Sequence, residues 1–374
     1  MRFALVTGLC LLAAAPLLSA GAGHSQDRTQ GPSTRDSYRA RLNENTVTIM
    51  AGGEGTDLTI VQDIAAVLDN GDALRVVPMV GKGPAQTLKD VMFMRGVDMG
   101  ITQANILKHY AKTGELGNIG SQIAYVAKLF NEEMHVLARD ETTDIRALEG
   151  KAVNFGPEGS GSELTSRLVF EALGINVQPR HLDEADAIAQ LKAGEIDASV
   201  VVTGKPAPTL VHLEEGSGLK LLGVPYAEGL EDEYYPAAFS EEDYPALIQS
   251  GQRVDSLAVC AVLVSFNWTE GDRYRKLDNF VSKFFSKFDA FQVAPRHPKW
   301  QEVNFAATLE GWRRSPLSQT WIDQAKRVTD NSAKQKFDTF LAQASPSGGA
   351  PQSDEERARL FRAFLEWSKK QSQN

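Results

Sequence analysis

The chain has 374 residues and two cysteines, with 39 Lys and Arg against 48 Asp and Glu, a formal net charge of −9. That balance argues against nucleic acid and anionic membrane surfaces as partners, yet leaves room for a small anion held by local backbone dipoles. Beyond the N-terminus no apolar run reaches the ~18 residues needed to span a bilayer. Residues 1–22 read as a cleavable signal peptide: Arg2 is the basic start, 4–18 the apolar core, and Ala20 with Ala22 an A-x-A cleavage site. Cys10 lies inside that apolar core, so export and cleavage leave Cys260 alone, with no intrachain disulfide; in SLAVCAVLVSF it reads as a buried strand thiol.

Residues 23–44 are polar and mixed in charge and read as a flexible leader. Order is expected from Thr46, with a strand around Val47 and Ile49, a turn at Gly52, Gly53 and Gly55, and a helix bearing Leu58, Val61, Ile64, Ala65 and Leu68 on one face. A strand over 75–80 follows, then the Gly81-Lys82-Gly83 turn and Pro84 at a first helical position. A short strand over 99–102 leads into another helix, and a weaker segment, 119–130, precedes the strand MHVLARD, which leaves one lobe for the next. Residues 151–173 read as a strand over 152–155, a turn with Gly156, Gly159 and Gly161, and a helix in which Ser160 and Glu163 stand in capping-box relation. NVQPRHL and DEADAIAQLKAGEID give a strand and a helix. A strand over 198–202, a Gly204-Lys205-Pro206 turn and a further helix close the series.

Four strand–turn–helix units with glycine in each turn mean an α/β architecture with mainly parallel sheets. Residues 224–253 are irregular and tyrosine-rich, SLAVCAVLVSF is a second crossing strand, and 271–341 reads as helical with Phe280, Phe284, Phe285 and Phe288. The linker SPSGGAPQS precedes a terminal helix, capped by Ser353 with Glu356, that carries Leu360, Phe364 and Trp367 on one face; that face docks on the parent body or meets a membrane partner.

A glycine turn at a helix N-terminus is a candidate anion site or a tight turn and nothing more. In open α/β sheets ligands settle beyond the carboxyl ends of strands, so four such turns can converge on one cleft. GGEG lacks the dinucleotide spacing, no GK[ST] follows a glycine run, and H-E-x-x-H, C-x-x-C and G-x-S-x-G are absent. No cofactor, metal site or catalytic set is expected. His135, His181 and His212 read as packed or surface residues, and the adjacent pairs Glu132–Glu133 and Glu214–Glu215 as solvated surface.

The GGxGT turn within 47–68, ITQAN at 101–105, GPEGSGSE at 156–163 and VVVTGKPAP at 200–208 occur together, in this order. In them the chain resembles the TAXI solute receptors of tripartite ATP-independent periplasmic (TRAP) transporters, from about residue 46 to 263 and more weakly to about 323. The resemblance implies a two-lobed, type II periplasmic-binding-protein fold with the ligand in the interlobe cleft. Its lobes would run over 45–136, 137–253 and a return over 254–345, with 346–374 as linker and terminal helix. It also implies a periplasmic receptor, not an enzyme, that passes a small carboxylate, a glutamate-like amino acid or a dicarboxylate, to a TRAP-type membrane permease.

Carried over, the ligand loops are Gly53, Gly55, Thr56 and Asp57; Gly81, Lys82 and Gly83; Gln103; Gly159, Ser160, Gly161 and Ser162; and Thr203, Gly204 and Lys205. Asp57 and Leu58 stand where the family has tyrosines, and Lys82 and Lys205 where it has small or neutral residues. Each lysine meets a carboxylate or is plain surface. Asp57 caps its own helix or adds a cationic group, such as an α-amino group, to the expected ligand. The same fold also serves sensing, with ligand state signalled to a membrane histidine kinase, and a third reading places an enzyme on this scaffold.

Overall fold

The computed structural model describes residues 33–327 except 54 and 72, together with Gln335 and Phe364. The signal peptide, the first part of the leader, the linker at SPSGGAPQS, and Ser353, Glu356, Leu360 and Trp367 of the terminal helix lie outside the described residues; Phe364 is buried. Part of the expected flexible leader is instead helix α1 (Thr34–Glu44), which has no buried residue. Its start has a physical cause in Ser33, whose hydroxyl accepts the Asp36 N–H and donates to the Asp36 carboxylate. The described residues from Arg41 onward form one compact unit.

That unit begins β1 (Thr46–Gly52), α2 (Thr56–Leu68), β2 (Arg75–Gly81), α3 (Pro84–Phe93), β3 (Met99–Gln103), α4 (Ala104–Thr113), α5 (Ile119–Gln122) and β4 (Ile123–Arg139). It repeats the alternation in β5 (Ala152–Asn154), α6 (Gly161–Ala172), β6 (Gln178–Arg180), α7 (Glu184–Ala193), β7 (Ala198–Thr203) and α8 (Pro208–Val211). Strands β8 (Leu219–Leu222), β9 (Tyr235–Ser240) and β10 (Arg253–Phe266) and helix α9 (Gly271–Ser286) follow.

The strand order is β2-β1-β3-β10-β4-β7-β5-β6, with β8 on β4 and β9 on β10. At one end β1 lies between β2 and β3, all parallel; at the other, β5 lies between β6 and β7, again parallel. The antiparallel pair β4–β10 belongs to both ends. Ile123–Glu133 of β4 lies against β10, while Glu133–Ala138 pairs with β7. The architecture is the expected α/β fold of two lobes, sharing two long strands.

Alternation along the strands sends successive side chains to opposite faces, so each lobe has two apolar layers. In lobe I, Val47, Ile49 and Ala51 pack with α2, α9 and Trp300, whereas Met50 packs with α3 and α4. In lobe II, Met134, Val136 and Ala138 pack with α6, and Leu137 with α7, Phe239 and Tyr244.

Three expectations need correction. The weak segment at 119–130 is the short α5 and the first half of β4, apolar but for Lys128 and without alternation because both its faces are covered. The helix after Gly204-Lys205-Pro206 is only the four-residue α8, which Pro208 starts and the turn-rich stretch 214–218 follows. Residues 271–341 are not one helical region. After α9 the chain turns irregular, with short 3-10 turns at Phe288–Phe291 and Pro298–Glu302, and a helix resumes over 316–327. Of the phenylalanines that suggested helix, Phe280, Phe284 and Phe285 lie in α9 and Phe288 in the 3-10 turn after it; Phe284, Phe285 and Phe288 pack on Phe305. Among the described residues no helix is long and apolar enough to cross a membrane.

Candidate functional site

A cavity of about 650 Å³ lies where the carboxyl ends of β1, β2, β5 and β7 face one another. Lobe I lines it with Gly52, Gly53, Thr56 and Asp57 after β1, with Gly81, Lys82, Gly83 and Pro84 after β2, and with Glu132 of β4. Lobe II contributes Asn154, Gly156, Pro157 and Glu158, then Ser160, Gly161 and Ser162 at the start of α6. His181, Asp183 and Glu184 before α7, and Val200 to Thr203 of β7, complete the wall.

The start of α6 is built as its spacing predicts. Ser160 is the N-cap, and its hydroxyl accepts the Glu163 N–H at 3.1 Å. The reciprocal half of a capping box is missing, because the Ser160 N–H bonds Pro157 O. Ser162 Oγ accepts the Val202 N–H at 2.8 Å, which ties the helix start to β7 and keeps the hydroxyl hydrogen for another acceptor. The positive end of a twelve-residue helix therefore opens on the cavity.

The lobes are closed on each other here. Thr56 N–H donates to Thr203 Oγ1 at 3.2 Å, Thr56 Oγ1 to Gly204 O at 3.0 Å, and Gln86 N–H to Gly159 O at 3.2 Å. Gly83, with φ 137°, lies so close to lobe II that a Cβ there would come within 2.7 Å of Ser160 Cα. Gly55, at φ 88°, faces the Thr203 hydroxyl in the same way.

Five of the sequence-derived site residues do not line the cavity. Gly55, Gly159 and Gly204 serve the interlobe contacts just described. Gln103 is fully buried; its Nε2 donates to Glu132 Oε2 at 2.8 Å, and its Oε1 accepts from Thr165 of α6 at 3.4 Å. The Lys205 ammonium is taken by Asp243 at 3.0 Å and by Ala238 O at 2.8 Å, away from the cavity. Lys82 lines the wall with an exposed side chain.

The acids Glu132 and Glu133 overturn the solvated-surface expectation: they are 2% and 4% exposed. They sit where β4 crosses between lobes, with protein on both faces, and as strand neighbours they point opposite ways. Glu133 accepts Lys299 Nζ at 2.6 Å and the Lys205 N–H at 2.8 Å. Burial raises its carboxyl, and the Lys299 ammonium opposes the rise. Glu132 faces the cavity; burial and then the charge of Asp57 hold it well above the usual carboxylate range, against the Gln103 hydrogen bond.

Asp57 does not cap its helix, whose N-cap is Gly55. It is 4% exposed, its Oδ1 has no hydrogen-bond partner, and burial pushes its carboxyl up to about 7. With Glu158, Asp183 and Glu184, the cavity wall carries five acids and one lysine. Four convergent helix starts had promised a positive cleft. The brevity of α8, the interlobe hydrogen bonds and these acids leave α6 as the clearest anion-facing end.

His181 was read as packed or surface, and it is exposed on the cavity wall, bonded to Gly156 O at 3.1 Å. No sequence signal marked it, since only the return of β6 beside β5 brings it there. His135 is buried, stacked on Phe239 and bonded to Tyr244 Oη, and burial lowers its imidazole to about 3. His212, Glu214 and Glu215 are exposed, as expected. Among the described residues no group of acids, histidines and cysteines could hold a metal ion.

Residues 50–266, more than half of the chain, match the model of the NMT1-like family. Among solved structures, a protein of Bordetella bronchiseptica RB50 is 16% identical, with 70% of this chain and 76% of that one covered and a TM-score of 0.46. The periplasmic aliphatic sulphonate binding protein SsuA from Escherichia coli is 13% identical, with 87% and 93% covered and a TM-score of 0.37. The amino acid ABC transporter substrate-binding protein AbpA from Streptococcus pneumoniae, bound to L-arginine, is 12% identical, with 71% and 98% covered and a TM-score of 0.38. All three scores lie below 0.5, and none carries a ligand over to this chain.

Proposed function

The chain belongs to the NMT1-like family, and from that premise we propose that it is a periplasmic solute-binding receptor. It captures a small carboxylate, a glutamate-like amino acid or a dicarboxylate, between its lobes and delivers it to a TRAP-type membrane permease. The observation that carries this reading is the cavity itself: a space of about 650 Å³ walled by strand–helix turns of both lobes. That volume falls within the ~300–1,000 Å³ common for small-molecule sites.

Ser160, Gly161 and Ser162 at the start of α6 supply the carboxylate end, with N–H groups and a hydroxyl donor against a helix dipole. Lys82 on the facing wall adds a cation for the same group. Closure supplies the signal a permease reads, because residues of both lobes touch only when the cleft is shut. The TAXI-like order of the four turn motifs supports the permease as recipient.

The test is a thermal-shift screen of amino acids, dicarboxylates and neutral sugars, followed by calorimetry on Ser160→Ala and Ser162→Ala. A carboxylate hit is expected, weakened about ten- to a hundredfold in Ser162→Ala, as for one lost charge-assisted hydrogen bond of ~1.5–3 kcal/mol. Stabilisation by sugars alone would sink the carboxylate.

A further inference from the structure

We infer that Asp57 and Glu132 form the cation subsite of this cleft, so that the solute carries an ammonium group beside its carboxylate. The inference rests on the reading above and narrows it to the amine-bearing class.

Four acids are buried among the described residues, and two have cationic or multiple partners. Asp63 meets Arg296, the His297 N–H and the Trp300 indole N–H; Glu133 meets Lys299 and the Lys205 N–H. Asp57 and Glu132 are the other two, and they are the two that line the cavity. They come from separate elements, the first turn of α2 and the middle of β4, so nothing local in the chain requires them to meet. Gln103 holds Glu132 Oε2 and leaves Oε1 for a ligand donor, while Asp57 Oδ1 is buried with no partner at all.

Two buried carboxyls on one cavity wall resist joint ionisation. A buried carboxylate needs a counter-charge or a proton. An ammonium offers both the charge and three N–H donors, whereas a second carboxylate on the ligand would add to the repulsion. The other charged groups facing the pair are the Lys82 ammonium at the wall, with Glu158, Asp183, Glu184 and the His181 ring across the cleft. Behind the strand stand Glu133 and Lys299. Lys82 is exposed and answers the carboxylate; the remaining cavity acids favour a cation further. When the ammonium enters, the proton shared by the pair leaves to solvent as the second carboxyl ionises, so charge balances without any other reactant.

The experiment screens the full-length mature protein against the common L-amino acids, their deaminated carboxylates and simple alkylamines, with calorimetry on every hit. Expected is an amino acid that binds about ten- to a hundredfold more tightly than its deaminated counterpart, with net proton release at pH 7, read from two buffers of different ionisation heat. In Asp57→Asn and Glu132→Gln, both isosteric, the amino acid loses that factor and the deaminated carboxylate does not. The wild-type ratio stands even if one variant folds poorly. Equal affinity for an amino acid and its deaminated form, with no proton release, overturns the inference and leaves the receptor reading in place. An alkylamine binding as tightly as any amino acid supports the cation subsite and overturns the carboxylate instead. A protein that binds none of the three classes overturns both.

Discussion

The two lobes share one strand plan, β2-β1-β3 in the first and β6-β5-β7 in the second, yet they start their helices differently. In lobe I, α2 and α3 begin at Gly55 and Gly83 with no side-chain cap of their own. In lobe II, α6 begins at Ser160, which caps itself. The orphan N–H groups of the lobe I helices are met from across the cleft, Thr56 N by Thr203 Oγ1 and Gln86 N by Gly159 O. At the interlobe contact, α6 thus carries a finished end, while α2 and α3 carry ends that closure finishes. The difference teaches that glycine here serves approach between lobes as much as approach to a ligand.

The sharpest way to break this asymmetry is Gly83→Ala. The new methyl meets Ser160 Cα at 2.7 Å and the backbone sits at φ 137°, so the closed arrangement is barred on both counts. Solute affinity is expected to fall at least a hundredfold, about 3 kcal/mol, with a larger radius of gyration by small-angle scattering even at saturating solute. Ser160→Ala, in contrast, removes a self-made cap and costs ~1 kcal/mol of stability without that expansion.

Next in size is the pH response, where the lobes again oppose each other. Asp57 ionises from 3.8 upward in the unfolded chain but only near 7 when folded. The folded state then holds the proton longer, and stability falls as pH rises through that window. His135 has its folded value lowered to about 3, so its contribution is lost as pH falls from 6.5 toward 3. Denaturant titrations from pH 4 to 8 should show the two slopes offsetting between about 4 and 6.5 in the wild type. In Asp57→Asn stability at pH 8 rises, and the acid-side loss from His135 is opposed by the raised Glu132 and Glu133 carboxyls without Asp57. An unchanged profile in that variant would mean Asp57 is ionised in the folded protein at neutral pH.

The smallest expected effect belongs to Thr203→Val, which keeps the shape and removes the acceptor for Thr56 N–H. Affinity should weaken about fivefold, ~1 kcal/mol, by calorimetry. No loss at all would mean that α2 does not depend on the other lobe.

Much of this was legible in the chain. The units at β1–α2, β2–α3 and β5–α6 announce themselves because apolar periodicity switches across glycine, and Ser160 with Glu163 marks the α6 cap by spacing alone. What escaped was whatever depended on neighbours distant in sequence. The first half of β4 lacks alternation because it is covered on both faces. Glu132 and Glu133 look like surface until β7 and β10 are known to flank them, and Lys205 looks like a ligand residue until Asp243 is seen to take it. The aromatics at 280–285 did mark α9, but the irregular chain after it escaped, because it is held by packing on Phe305 and Trp300 and not by a period of its own.

Glu132 and Glu133 are consecutive, and the strand that holds them runs from one lobe into the other. One side chain faces the cleft; the other is clamped from behind by Lys299, itself 2% exposed. A roll of β4 about its own axis swings the two in opposite senses, like the arms of a balance beam. The rear ion pair therefore acts as a counterweight: Lys299, outside the cavity lining, resists any roll of the strand that would carry the cleft acid with it.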